Sequence, residues 1–175
     1  MLSIDEKYIL EYNRKSDINE HLPTLNKYAT LCDSIIELGV REIISTWALL
    51  AGRPDKMLSI DLDNPEKHGV NIDEVYEACN DADIEFEFKQ ADSTTVDLPE
   101  TDLLFIDTLH EYAQLKAELN AHHTRVKKYI LFHDTVSCQH ELMPAIIEFL
   151  QAHPEWKMRE MHYYNNGFAV IERVV

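Results

Sequence analysis

The chain has 175 residues, of which 45% are hydrophobic and 27% charged, and its formal net charge at pH 7 is −16. That length predicts a single domain, residues 1–175, with a core that needs no disulfide to hold it. The charge disfavours nucleic acid and anionic membrane surfaces as partners, because both are bound through clustered Lys and Arg. A small molecule is therefore the expected ligand.

The cysteines and the first residues of the chain indicate the cellular compartment of the protein. Cys32, Cys79 and Cys138 are odd in number and far apart, which is typical of reduced thiols rather than of a disulfide framework or a zinc cluster. Residues 1–13 carry several charges among their apolar positions, unlike a signal peptide. No apolar run approaches the roughly 18–20 residues that cross a bilayer. We therefore expect a cytoplasmic protein without a membrane segment.

In chain order, apolar periodicity predicts alternating helices and strands. Residues 1–32 are expected to be a helical segment, with one helix starting at Pro23 because a first turn tolerates proline. Residues 33–175 form the core. Its predicted strands are 34–38, 57–60, 84–88, 103–106, 129–132, 156–163 and 168–174. The predicted helices between them are 43–51, 72–79 and 111–127, with a further helix that Pro144 opens.

This alternation is typical of a doubly wound, mostly parallel Rossmann-like sheet with helices on both faces. The last two predicted strands are separated by Asn165-Asn166-Gly167, and Asn-Gly favours a tight hairpin turn. The predicted fold is therefore α/β, with five parallel strands followed by a C-terminal antiparallel hairpin.

Two local details follow from the helix pattern. The one basic cluster of the sequence, Arg125, Lys127 and Lys128, is expected in the last turn of helix 111–127, where cations stabilise the helix dipole. If Pro144 opens the next helix, residues 136–143 are a loop that is long enough to form part of a lid.

Polar side chains follow each of the five predicted parallel strands, at the edge where an open α/β sheet binds its ligands. In chain order they are Glu37 and Gly39, Asp61 and Asp63, Asp92 and Ser93, Asp107 and His110, and His133 and Asp134. Each carboxylate also has a structural interpretation, as a helix N-cap or a turn former. Six other histidines have no strand-end position and are expected in solvent or at interfaces: His68, His122, His123, His140, His153 and His162.

Several of these stretches resemble class I, or Rossmann-like, S-adenosylmethionine-dependent methyltransferases. The run Glu37-Leu38-Gly39-Val40-Arg41, followed by Ser45-Thr46, is similar to their first motif, roughly E-x-G-x-x-x-G-x-S-T. Leu58-Ser59-Ile60-Asp61 resembles the acidic second strand, whose carboxylate binds the ribose hydroxyls of the cofactor. Gln90-Ala91-Asp92-Ser93 is similar to the stretch that lies along the adenine.

A later pair of motifs is more specific. Residues 102–112, DLLFIDTLHEY, and residues 131–135, LFHDT, closely resemble the pattern D-L-x-F-I-D-x-x-H-x-Y … F-H-D-T. That pattern belongs to a small-molecule O-methyltransferase family related to cephalosporin-hydroxylase-like and macrolide-sugar methyltransferases. The resemblance covers roughly residues 30–135. It implies an enzyme that transfers a methyl group from S-adenosylmethionine to an oxygen of a small molecule.

The resemblance also implies roles for individual residues. Cofactor contacts are expected from seven residues in the matching stretches: Glu37, Gly39, Ser45, Asp61, Asp92, Ser93 and Asp107. Arg41, which departs from the pattern, is an eighth candidate for a cofactor contact. Some relatives bind a metal at matching positions, which implies a divalent cation such as Mg²⁺ at Asp107 and Asp134, with His133 as a further candidate ligand. Carboxylate oxygens suit such ions. Without a metal, His110 or His133 is the natural general base, since histidine titrates near neutrality, and Asp107 completes the catalytic set.

The first motif departs from the family pattern, because Arg41 and Ile43 stand where further glycines are usual. Glycine there lets the backbone approach a ligand with no Cβ in the way. Arg41 could compensate by pairing its guanidinium with the carboxylate of the cofactor's methionine moiety.

Other functions on the same fold stay open at this point. One is a metal-dependent hydrolase or lyase that uses Asp107, His110, His133 and Asp134. Another is a binding module without catalysis, which the missing glycines make credible. A nucleic-acid or protein acceptor would need a basic patch assembled from distant residues. In a homo-oligomer, a second copy of the chain could complete the pocket.

Overall fold

Seven strands form the centre of the structure, a computed structural model that describes residues 2–174. They are β1 (Ser34–Leu38), β2 (Lys56–Asp61), β3 (Glu85–Gln90), β4 (Thr101–Ile106), β5 (Val126–His133), β6 (Trp156–His162) and β7 (Phe168–Arg173). Their order across the sheet is β3-β2-β1-β4-β5-β7-β6. The first five strands are parallel, whereas β7 is antiparallel to both β5 and β6. The predicted α/β class and C-terminal hairpin are confirmed.

Six α-helices surround this sheet. They are α1 (Ile4–Asn13), α2 (Leu22–Ala29), α3 (Ile44–Leu50), α4 (Asp73–Asp81), α5 (Tyr112–His122) and α6 (Gln139–Ala152). The predicted helical segment before β1 is confirmed by α1 and α2. Helix α1 begins with a capping box, in which Ser3 Oγ accepts from the Glu6 N–H and Glu6 Oε2 accepts from the Ser3 N–H.

The core has two layers, because successive side chains of a strand point to opposite faces. In β4, Phe105 packs among buried residues of α1 to α4, while Leu104 packs among those of α5 and α6. Every residue of β4 is buried, as expected for a strand covered by helices on both sides. The helices therefore cover both faces of the sheet, as predicted.

The strand order places a topological switch point at β1. The chain moves from β1 outward to β2 and β3, then returns to β4 on the other side of β1. The loops after β1 and β4 therefore diverge at the carboxyl edge of the sheet. A crevice forms at such a point, and it is where open α/β sheets bind their ligands.

Two predicted helix boundaries are wrong. Helix α5 ends at His122 instead of residue 127, because Val126 is buried and already pairs with Thr101 in the sheet. The basic cluster is thus split between a 3₁₀ turn (His123–Arg125) and β5.

Pro144 lies inside α6 instead of opening it. The helix already begins at Gln139, five residues before Pro144. At this end of the helix the Leu142 N–H donates to the Cys138 carbonyl over 3.0 Å. Residues 139–143 are therefore helical, and the predicted lid loop shrinks to the short turn between β5 and α6.

The three cysteines are free thiols, as the sequence predicts. Burial raises the pKa of both Cys32 and Cys79 to about 12, so these two thiols stay protonated at neutral pH. Within residues 2–174, no helix combines the length and apolar character needed to span a membrane.

Candidate active site

A cleft lies at the carboxyl edge of the sheet, bordered by the loops after β1, β2, β3 and β4. It contains about 1040 Å³ of space, counted out to its open mouth. Seven of the sequence-predicted site residues line it: Gly39, Arg41, Asp61, Asp92, Ser93, Asp107 and His110. The sequence therefore identified most of the polar lining of this cleft.

The loop after β1 has the backbone shape of a glycine-rich loop although it holds one glycine. Its φ angles are +89° at Gly39, +44° at Arg41 and +57° at Ile43. Left-handed conformations are rare for side-chain-bearing residues, and a β-branched residue there is an outlier. Arg41 and Ile43, which stand where the family pattern has glycines, thus adopt the left-handed conformation that glycine favours.

Asp61, at the end of β2, holds this loop in place. Its Oδ2 accepts hydrogen bonds from the backbone N–H groups of Val40 at 2.7 Å and Arg41 at 3.0 Å. Its Oδ1 accepts from the Asp63 N–H at 2.9 Å. A carboxylate offers about four lone-pair positions, so Asp61 retains acceptor capacity toward the cleft that it lines.

Gly39 is required by close packing as well as by its φ. A Cβ at this position would lie 2.0 Å from the carbonyl oxygen of Asp107. The Asp107 N–H in turn donates to the Leu38 carbonyl over 2.8 Å. The ends of β1 and β4 are therefore in direct backbone contact beneath the cleft.

The sequence predicts that Glu37 contacts the cofactor, but this residue does not line the mouth of the cleft. Glu37 is fully buried beneath the cleft. Its carboxylate accepts hydrogen bonds from the hydroxyls of Ser45 at 2.6 Å, Thr46 at 2.8 Å and Ser59 at 2.7 Å. Burial raises its pKa to about 7, although these three donors act in the opposite direction. Ser45 is buried in the same network, so neither residue is positioned for direct contact with a ligand in the cleft.

Arg41 is exposed at the cleft and pairs with another part of the chain. Its Nη2 lies 3.0 Å from Asp17 Oδ2, in the segment between α1 and α2. Contact between this guanidinium and a bound carboxylate would therefore compete with the Asp17 ion pair.

Asp92 and Ser93 border the cleft after β3 but have different surroundings. Asp92 is exposed, and hydrogen bonds from the Thr94 hydroxyl and N–H lower its pKa. Ser93 is buried, and its hydroxyl donates to Glu118 Oε1 over 2.6 Å. The expectation that His122 lies in solvent or at an interface is wrong, because its buried Nε2 donates to the Ser93 carbonyl over 2.6 Å. Ser93 is therefore held from two sides by α5.

Two histidines and two carboxylates meet at the ends of β4 and β5. His110 Nε2 lies 3.0 Å from Asp134 Oδ2 and 3.3 Å from Asp107 Oδ1. His133 Nδ1 lies 2.9 Å from the same Asp134 oxygen and 3.4 Å from the same Asp107 oxygen. The four side chains predicted from the late motifs are therefore brought together into one cluster, which we call the His–Asp cluster.

These contacts change the charge states in the cluster. Interaction with Asp107 and Asp134 raises the pKa of His110 to about 10. Burial would lower the pKa of His133, but the same carboxylates raise it to about 10. Burial would raise the pKa values of Asp107 and Asp134, yet the neighbouring imidazoles outweigh it and lower both. The two carboxylates therefore hold the pKa values of both imidazoles above the near-neutral range of an ordinary histidine.

The ring of His133 is held in a way that suits a metal ligand. Its Nε2 lies 3.1 Å from the Asp17 carbonyl, to which it donates. Its Nδ1 is buried and lacks a hydrogen bond of proper geometry, in spite of the two nearby carboxylate oxygens. Metal-ligating histidines commonly donate their second ring N–H to a carbonyl in this manner. Asp107, His133 and Asp134 place one ligand atom each within 4.8 Å of one another, so they fit a cation.

The sequence analysis missed the contribution of the segment before α2. The Asp17 carbonyl orients His133, and the fully buried His21 packs at a ring-centroid distance of 5.7 Å from it. His21 Nε2 lies 2.8 Å from the Asn165 carbonyl in the β6–β7 turn. No local pattern in residues 14–21 signals these contacts, since they depend on how the chain ends meet in the fold.

A smaller pocket adjoins the His–Asp cluster. It contains about 230 Å³ and is lined by Leu115, Phe132 and Leu142 together with cluster residues. The site thus combines a large polar cleft with a short apolar recess.

No protein-family model matches the chain, and no curated protein is similar to it in sequence. Solved structures are similar in fold. An O-methyltransferase from Bacillus cereus in complex with SAH aligns with a TM-score of 0.65 and 14% identity, over 97% of this chain and 90% of that one. A Burkholderia thailandensis 1,6-didemethyltoxoflavin-N1-methyltransferase, bound to its named substrate and S-adenosylhomocysteine, gives 0.66 and 9%, over 94% and 81%. A ribosomal protein L11 methylase from Lactobacillus delbrueckii subsp. bulgaricus gives 0.62 and 11%, over 89% and 79%.

The names of these methyltransferases give different methylated atoms and different acceptors. Their similarity to this chain is therefore a similarity of architecture. Strand order, switch-point cleft and terminal hairpin agree with the fold expected from the sequence resemblance. The chain has the fold of the class I S-adenosylmethionine-dependent methyltransferases.

Proposed function

We propose that this chain is an S-adenosylmethionine-dependent methyltransferase that acts on a small molecule at an oxygen. The loop after β1 carries the proposal. Its left-handed residues cost roughly 1–2 kcal/mol each where the residue is not glycine, and Ile43 is among them. Strain of this kind persists where surrounding structure imposes it, and it clusters at functional sites. In this chain, Asp61 holds the start of the loop from β2, through the N–H groups of Val40 and the left-handed Arg41.

The cleft fits the charge of that cofactor. S-adenosylmethionine would supply an electrophilic methyl group on a sulfonium, and it also carries an ammonium group. Asp61 and Asp92 give the cleft the opposite charge, whereas the charge of Asp107 is offset by His110 and His133. Gly39 lets the backbone approach the ligand, and Arg41 is placed for its carboxylate if it releases Asp17. Glu37 and Ser45 act beneath the cleft, by fixing the end of β1 against α3.

We propose a divalent cation such as Mg²⁺ at Asp107, Asp134 and His133, where it would lower the pKa of an acceptor hydroxyl. His110 borders both the cleft and the two carboxylates. A proton held at its Nε2 is therefore stabilised as an ion pair. Because Asp107 and Asp134 raise the pKa of His110 to about 10, its action as a base depends on what else binds these carboxylates.

The apolar recess supports a small acceptor. Leu115, Phe132 and Leu142 give this recess an apolar wall beside the cluster residues Asp107 and His133, which suits a small apolar group of an acceptor better than a polymer. We also propose a cytoplasmic location, because the thiols are reduced. We propose further that a second copy of the chain, in a homo-oligomer, covers the open mouth of the cleft.

The first test is cofactor binding. In calorimetry, the wild-type chain should bind S-adenosylmethionine and its demethylated product, and Asp61→Ala should weaken both at least tenfold. The variant loses a cleft carboxylate and frees the N–H groups of Val40 and Arg41. Asp63→Ala is the matched control, because Asp63 pairs with Lys67 outside the cleft lining. Wild-type protein that binds neither compound would contradict the proposal.

The second test is cation binding, read directly with Mn²⁺ by water-proton relaxation. Asp107→Asn and Asp134→Asn should each weaken Mn²⁺ binding by an order of magnitude or more, since each removes an anionic ligand. Asp92→Asn, across the cleft and outside the His–Asp cluster, should bind as wild type. Equal affinity in all four proteins would remove the metal from the mechanism.

A metal-dependent hydrolase or lyase is the second candidate, because the His–Asp cluster can hold an ion without any cofactor. It predicts Mn²⁺ binding by the wild-type chain together with no binding of S-adenosylmethionine. The two measurements therefore separate the candidates.

A further inference from the structure

A second group of ligating side chains lies at the opposite edge of the sheet from the cleft. It consists of His123, which starts the 3₁₀ turn after α5, His153, which caps the end of α6, and Glu155, which precedes β6. One ligand atom from each lies within 4.8 Å of the others, and all three residues are partly accessible. We call this group the distal triad.

His123 is fixed in the tautomer that leaves a nitrogen free. Its Nδ1 lies 2.7 Å from the carbonyl oxygen of Leu119, to which it donates its proton. The lone pair of its neutral ring is therefore on Nε2. A backbone carbonyl that fixes the ring through the other nitrogen is the usual support of a metal-ligating histidine.

The other two ligands are already close to coordinating geometry. His153 Nδ1 lies 3.4 Å from Glu155 Oε1, and a tetrahedral ion with bonds of roughly 2.1 Å needs its ligands about 3.4 Å apart. The imidazoles of His123 and His153 have centroids 4.3 Å apart. Phe149 stacks on His153 at 4.6 Å and contacts His123 edge-on at 5.4 Å, so one aromatic ring supports both.

We propose that the distal triad binds a divalent transition metal such as Zn²⁺, separate from the cation proposed in the cleft. Two imidazoles and one carboxylate are ligands that Zn²⁺ favours, and a water can take the fourth position. The eight residues of β5 separate this edge from the His–Asp cluster by roughly 26 Å at 3.3 Å per residue. An ion here links the ends of α5 and α6 to the start of β6.

Zn²⁺ titration of the full-length chain by calorimetry tests this site. His123→Ala and His153→Ala should each weaken one Zn²⁺ site at least tenfold and abolish the rise in melting temperature that it gives. His140→Ala removes an exposed histidine outside the triad and should leave that site unchanged. All three positions are partly or fully exposed, so each variant is expected to fold.

Because the His–Asp cluster can also take Zn²⁺, the titration is repeated in Asp134→Asn. The distal site should survive in that variant and disappear when His123→Ala is added. Zn²⁺ binding that is unaffected by His123→Ala, or affected by only one of the two histidine variants, would overturn the proposal. Neither outcome depends on the methyltransferase activity.

Discussion

Gly39→Ala should destabilise the protein by about 4 kcal/mol. Forcing a side chain into the left-handed region costs roughly 1–2 kcal/mol, and overpacking a close backbone contact adds about 1–3 kcal/mol. Both apply here, because Gly39 has a φ of +89° and its new Cβ would meet the Asp107 carbonyl oxygen at 2.0 Å. Urea unfolding measures the loss. Calorimetry with S-adenosylmethionine should show that binding is lost even in buffer where the variant is folded.

Gly69→Ala is the matched control for this experiment. Gly69 also has a left-handed φ, +79°, but a Cβ there would have no neighbour within 4 Å. The Gly69→Ala variant should therefore lose only the conformational part of the stability, about 1 kcal/mol. It should still bind S-adenosylmethionine. If the two variants lose equal stability, the contact between the ends of β1 and β4 is not as close as the structure has it.

Much of the fold was predictable because its signals are local. Strands β1, β2, β4 and β5 contain short, mostly buried runs, whereas β3 begins with alternating exposed and buried residues. The terminal hairpin is predicted by Asn166-Gly167, both of which have positive φ. The two wrong helix boundaries arose where one residue fits the sequence pattern of more than one structure. Val126 continues the apolar periodicity of α5, yet it pairs with Thr101 in the sheet. Pro144 looked like a first-turn proline, but hydrogen bonding from Cys138 starts the helix earlier.

The candidate site was predictable to the extent that strand ends define it. Asp107, His110, His133 and Asp134 were found because they follow adjacent strands, and the structure brings them within hydrogen-bonding range. Side-chain direction was not predictable, since one residue of difference in a strand exchanges its faces. Glu37 follows the same strand-end pattern as Asp61 yet points into the core.

Because the Glu37 side chain points into the core, we expect a second large effect, a loss of stability that depends on pH. Its pKa is about 7 in the folded protein, raised by burial from an ordinary value of 4.5. Below pH 4.5 both the folded and the unfolded chain hold the proton. Between pH 4.5 and 7 the unfolded chain releases it while the folded chain retains it, so stability falls as pH rises. The total loss is about 3 kcal/mol at 1.36 kcal/mol per pKa unit.

Glu37→Gln should abolish this loss while keeping the shape of the side chain. The amide can accept one hydrogen bond and donate two, and the hydroxyls of Ser45, Thr46 and Ser59 can rotate to accept. In urea unfolding at pH 5 and pH 8 without divalent ions, the variant should gain about 2.5 kcal/mol on wild type between the two pH values, because part of the total loss has already occurred at pH 5.

Comparison with wild type isolates Glu37 from the other groups that titrate in this range. Burial lowers the pKa values of His21 and His122, so they make stability fall as pH drops below 6.5, but they are the same in both proteins and cancel in the difference. Glu87→Gln, on the exposed side of β3, should run parallel to wild type. Parallel curves for Glu37→Gln as well would mean that the three hydroxyl donors compensate the burial of an ionised Glu37. The end of β1 would then carry a buried negative charge beneath the cleft at all pH values above 5, which would add to the attraction of a cationic cofactor.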